Sequence, residues 1–197
     1  MRLSAVVGVS RVTDWTMNFV GSQCERMKWL SVVIVVTGCA TLSSTAPPPE
    51  ALQPIAEVRA TMKQATNGVE PPQVLVQEIP GAGMYEIRNG VPVIYIHPWV
   101  LRNPLALRIV LAHEFSHWGH GHDWRCAGRI HECEHEANVS AVWVIQRTWP
   151  RLDGVYLLCT WIKGTAQGAQ ANSMGHNSQW EYEQFRARFQ LGENCRR

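Results

Sequence analysis

The sequence predicts an α+β fold: a small twisted sheet beside one buried helix, with a mostly helical chain after it. Three observations predict it. Residues 84–96 read as a β-hairpin around Asn89-Gly90, a dipeptide that supplies the positive φ angles of a tight turn. Residues 104–118 read as a helix that is apolar on nearly every face, and such a helix is buried. Beyond residue 134 the apolar residues recur at helical spacing rather than in alternation.

Taken in order, residues 51–66 place Ile55, Val58 and Met62 on one helical face, and Asn67-Gly68 and Pro71-Pro72 stop that helix. Val74-Leu75-Val76 is a short β-type run. Pro92 cannot donate to a ladder, so the second hairpin strand is expected at an edge or a bulge. Asn103 reads as a helix cap and Pro104 as the first helical residue, with Gly119 and Gly121 at the other end. A second helix is expected over 134–148, ending before Pro150, and a third over 155–162. Residues 164–178, rich in Gly, Ala, Asn and Gln, read as loop, and 180–191 as a last amphipathic helix. There is no internal repeat.

A chain of 197 residues suits one ordinary domain. A hydrophobic share of 46% excludes general disorder, and a formal charge of +2 is too small for a nucleic-acid binder. Residues 27–39 carry a basic start (Lys28, after Arg26) and an apolar run of about ten residues, the length of a signal-peptide core and too short for a membrane helix. Val36-Thr37-Gly38-Cys39 resembles a bacterial lipobox, with Cys39 as the lipidated mature N-terminus. Residues 1–26 have no matching role, which leaves Met1 and Met27 both open as the start of the leader. The organisation expected is a leader over 1–38, a flexible tether over 39–51 and one domain over 52–197. Removing the leader takes four basic and two acidic groups from totals of 18 and 16, so the mature chain holds 14 of each and is neutral. The address is the cell envelope, with the domain anchored through Cys39 and facing the periplasm, at the outer membrane. Four cysteines remain after export, an even number in an oxidising compartment, and the preferred pairing is Cys126–Cys133 with Cys159–Cys195.

Histidine is concentrated. Six of eight fall between His113 and His135, where an even spread would place about one. Within that window, His113-Glu114-Phe115-Ser116-His117 is a His-Glu-x-x-His pattern, expected by composition about 0.02 times in such a chain. Four residues of helix bring His113 and His117 onto one face, where two imidazoles can hold one Zn²⁺, and Glu114 lies one step round, placed for a water molecule rather than the metal. Polar groups in a helix this apolar need a specific partner, because burying them unpaired costs several kcal/mol. A catalytic zinc needs a third protein ligand. A Gly and a His three and six residues after the second histidine would supply one, but those places hold His120 and Asp123. His131, His135 and Glu134 remain as candidates.

His-Glu-x-x-His followed by Glu134-His135-Glu136-Ala137-Asn138 on a second helix resembles the M48-like gluzincin zinc metallopeptidases. The resemblance spans roughly residues 52–191. It implies a zincin-like fold with an active-site helix, and Glu134 as the third ligand. It also makes Asn138 the counterpart of an Asp that backs a ligand histidine, and matches His122 to a further family histidine. The departures are Asn for Asp and a gap of only 16 residues between the motifs. Helical spacing also puts Glu134, Asn138, Ala141 and Ile145 on one face. Glu136 points elsewhere and reads as a solvated charge, and His120, His122, His131 and His135 as loop or supporting residues. The resemblance further implies a histidine after the second helix that stabilises the oxyanion; His176 is the candidate, with Tyr182 and Arg186 as alternatives. The expected activity is a zinc-dependent endopeptidase with Glu114 as base, acting on protein or peptide substrates of the envelope that pair with an edge strand near residues 93–96. The alternative is a zinc-binding chaperone or assembly factor with little proteolysis. The sequence does not give an oligomeric state.

Overall fold

The structure is a computed structural model and describes residues 43–122, 126–167 and 178–197. Its elements run α1 (Pro49–Ala65), β1 (Gln73–Val76), β2 (Gly83–Arg88), β3 (Val91–Ile96), a 3-10 turn (Pro98–Arg102), α2 (Pro104–His120), α3 (Ile130–Thr148), α4 (Gly154–Gln167) and α5 (Ser178–Phe189). The α+β expectation holds: a three-stranded mixed sheet lies beside α2, and the elements after it are helices.

The strand order is β1-β3-β2. β2 and β3 form the antiparallel hairpin around Asn89-Gly90, from Arg88↔Val91 to Gly83↔Ile96, with both turn residues at positive φ. β1 pairs parallel to the other side of β3, from Gln73↔Val93 to Val76↔Ile96. The expected edge position of residues 93–96 is therefore corrected. β3 is the central strand and β2 is the edge next to α2. Pro92 fits because β1 begins pairing only at Val93, so its missing N–H removes no bond on that side. Alternation along β3 sends Ile94 and Ile96 into the main core, while Val93 and Tyr95 join Ile79 and Met84 on the opposite face.

α2 runs through the core. Leu111, Ala112 and Phe115 are fully buried, and burial of a side chain such as Leu or Phe contributes about 1.5–3 kcal/mol. Asn103 Oδ1 accepts from the backbone N–H groups of Leu105 and Ala106 at 3.0 and 3.2 Å, and Gly121 closes the helix at φ +65°. α3 starts at Ile130, four residues before the expected Glu134, and its residue Cys133 is bonded back to Cys126. The second disulfide joins Cys159 on α4 to Cys195 in the tail, so both bonds follow the preferred pairing.

Two boundaries differ from expectation. Thr45 exchanges two 2.8 Å backbone hydrogen bonds with Val76, α1 begins at Pro49 and Ala51 is buried, so the chain is fixed to the domain several residues before position 52. α4 extends to Gln167, into the stretch expected as loop. The leader, Cys39 and His176 lie outside the described residues. Among the described residues no helix is long and apolar enough to cross a membrane.

Candidate metal centre

α2 and α3 pack side by side and bring the two motifs together. His113 and His117, one turn apart on α2, meet Glu134 from the second turn of α3. His113 Nε2 and His117 Nε2 are 3.0 Å apart. Glu134 places Oε2 3.2 Å from His113 Nε2 and Oε1 3.4 Å from His117 Nε2. A tetrahedral ion with bonds of about 2.0–2.1 Å would hold its ligand atoms about 3.3 Å apart, so the triangle already has the dimensions of a metal ligand set.

The hydrogen bonds behind the histidines make the same point chemically. Asn138 donates its Nδ2 to Glu181 Oε1 at 3.1 Å, which turns Oδ1 toward His113 Nδ1 at 2.9 Å. That imidazole nitrogen must donate, and in neutral His113 the Nε2 then carries a lone pair. His122 Nε2 meets Glu136 Oε2 at 3.0 Å, and a carboxylate can only accept, so neutral His122 has a bare Nδ1. His117 Nδ1, 3.1 Å away, donates to it, leaving His117 Nε2 bare as well. Two imidazole lone pairs and two carboxylate oxygens thus converge in a site where His117 is buried and Glu134 is about four-fifths buried. Acceptors alone repel; a cation satisfies all of them.

Without a metal, a proton takes that place. Burial opposes charge on His113, but the contact with Glu134 overrides it and raises the imidazole to about 9. Burial lowers His117 to about 4, since one proton suffices for the pair. Burial likewise opposes charge on Glu134, yet the protonated His113 bonded to it holds the carboxyl far below the ordinary range.

Glu114 sits beside this triangle. It is 6% exposed, and burial, with the Glu134 carboxylate adding to it, pushes its carboxyl up to about 7. The backbone N–H of Tyr85 on the edge strand β2 donates to it. That approach requires Gly83: a Cβ there would lie 2.6 Å from Glu114 Oε1 and 2.6 Å from Val110 Cγ1. Sheet and helix therefore meet at the one carboxylate expected to act as a base. A cavity of about 740 Å³ opens beside it, lined by His113, Glu114 and Glu134 and by Trp99, Leu105 and Trp161.

The motif residues fall where the sequence placed them, and others do not. Glu136 is exposed, as a solvated charge is, and in addition bonds His122 and lies 3.7 Å from Arg129. Tyr182 donates its hydroxyl to Glu193 O at 2.7 Å, and Arg186 lies over the Tyr182 ring and reaches Leu191 O, so both hold the C-terminal tail and neither lines the cavity. His120 bonds Ser140, and His135 bonds Glu181. Glu181 was not foreseen, although an acid on the core-facing side of a helix, in register with Phe185, was a readable signal.

Compared with known proteins, the chain matches no protein-family model, and no curated protein or solved structure is significantly similar to it.

Proposed function

We propose that the chain is a zinc-dependent endopeptidase of the cell envelope, zincin-like in fold and related to the M48-like gluzincins. The observation that carries this reading is the convergence of His113 Nε2, His117 Nε2 and the Glu134 carboxylate within 3.0–3.4 Å of one another, next to the buried side chain of Glu114. His113, His117 and Glu134 would hold the ion, leaving one position open. Bound zinc supplies Lewis acidity, lowering the pKa of water toward 7 and polarising a carbonyl. Glu114 would accept the proton of the attacking water and deliver it to the leaving amine. The Tyr85 N–H keeps that carboxylate oriented. The outer edge of β2 offers backbone groups to an extended polypeptide. The aromatic lining of the cavity also suits the alternative, a chaperone that holds apolar segments of envelope proteins.

Casein cleavage by the purified protein and by Glu114→Gln separates the two. The peptidase reading expects zinc retained in the variant and activity lowered by about three orders of magnitude or more. Wild-type protein that binds zinc and unfolded casein without cutting it would favour the chaperone. The proposed anchor is tested by Cys39→Ala, which should release the protein from membranes because lipid attachment depends on that thiol. Retention would mean another anchor.

A further inference from the structure

We propose that Glu181 is a positioning residue of the metal centre: from α5, through Asn138, it supplies the negative charge that holds His113 in its metal-binding tautomer. The inference rests on the metal centre described above and adds to it a residue from a third helix.

The argument begins with the amide. A carboxamide next to an imidazole can present either its oxygen or its nitrogen, and the two have opposite consequences. With Asn138 Oδ1 toward His113 Nδ1, that nitrogen carries the proton and Nε2 is free to ligate. With Nδ2 turned to it, Nδ1 must carry the lone pair and Nε2 the proton, which blocks ligation. An aspartate would remove the ambiguity by itself, since it only accepts. Asn138 cannot. Glu181 removes it from the far side: Oε1 lies 3.1 Å from Asn138 Nδ2 and can only accept, so the amide is fixed with its oxygen on His113.

Glu181 is itself held. His135 Nδ1, one turn of α3 before Asn138, lies 3.3 and 3.2 Å from its two oxygens. Asn138 and Glu181 are 5% and 7% exposed, so bulk water is a poor substitute for either partner. Glu181 shares its face of α5 with Tyr182 and Phe185, where an acid is costly unless it is paired. The result matches the other ligand. Each histidine is backed through one neutral side chain by a carboxylate: His117 through His122 by Glu136, and His113 through Asn138 by Glu181.

The test is the zinc affinity of the full chain by chelator competition, with the fold of the zinc-free protein followed by circular dichroism. Glu181→Gln should bind zinc about 10–100-fold more weakly, because the charge is lost and the new amide no longer enforces the orientation. Adding Asn138→Asp to Glu181→Gln returns the charge to the path and should restore affinity to within about threefold of wild type. A purely structural role for Glu181 would not give this rescue. A single variant within about twofold of wild type, or a double variant no tighter than the single, overturns the proposal. If Glu181→Gln does not fold, Glu181→Asp keeps the charge but withdraws it by one methylene; at least about fivefold weaker zinc binding is then expected, and wild-type affinity overturns the proposal. Wild-type protein that binds no zinc would overturn the metal centre itself, so the two failures are distinct.

Discussion

At the scale of the residue, the proposed metal centre sets one proton against one cation. His113 is raised to about 9 by Glu134 against the effect of burial. A raised histidine stabilises the folded, metal-free chain fully below its unfolded value of about 6.5 and loses that contribution as pH rises through about 9. Glu114, raised from 4.5 to about 7, contributes stability at low pH that is lost as pH rises through about 7, so it adds to the same fall. His117, lowered to about 4, is neutral throughout this window. The metal-free protein should therefore become less stable from about pH 6.5 to about pH 9. Zinc, which needs His113 unprotonated, should bind more tightly over the same range, by up to about tenfold per unit. Calorimetry with and without zinc should show a zinc-induced rise in Tm that grows with pH; a rise that is constant or shrinks would contradict the assignment. His113, Glu114 and His117 were legible because the motif puts them on one helical face. Glu134 was legible only once a second helix was placed. The Glu136–His122 pair and Glu181 were not read as partners, because their bonds join elements whose packing no spacing rule fixes.

At the scale of the element, α3 matters most. It carries Glu134, Glu136 and Asn138, and its first turn holds Cys133, bonded to Cys126. Closing so short a loop contributes about 2 kcal/mol of unfolded-state entropy, a modest amount. The positional consequence is larger, because Glu134 directly follows Cys133 and ligand atoms must be held to within a few tenths of an ångström. Reduction, or Cys126→Ser with Cys133→Ser, should weaken zinc binding by more than tenfold while lowering the Tm of the zinc-free protein by only about 4–8 °C, as competition titration and thermal melts would show. Unchanged zinc affinity would mean that the bridge does not position the helix. The caps of α2 were readable, since Asn103-Pro104 and Gly121 act locally. The start of α3 was not, because Arg129 at its N-cap makes no side-chain cap hydrogen bond.

At the scale of the molecule, the α+β class followed from the hairpin and from the all-apolar helix, and both formed as read. The strand order did not follow. A parallel β1–β3 pairing joins segments twenty residues apart, and nothing in either strand alone marks β3 as central. That placement makes β2 the edge beside Glu114 and so decides where a polypeptide could lie along the site. The three helices after α2 serve the centre in different ways. α3 brings the proposed ligand Glu134, α4 lines the cavity and α5 brings Glu181 to the back of His113.

The most direct test of the whole account is the metal content of the purified protein, measured by inductively coupled plasma mass spectrometry beside Glu134→Ala. One zinc per chain in the wild type and less than about a tenth of that in the variant are expected, because two histidines alone leave the ion with half of its usual ligand set. A wild-type chain that takes up no zinc, or a Glu134→Ala chain that keeps it fully, would contradict the account.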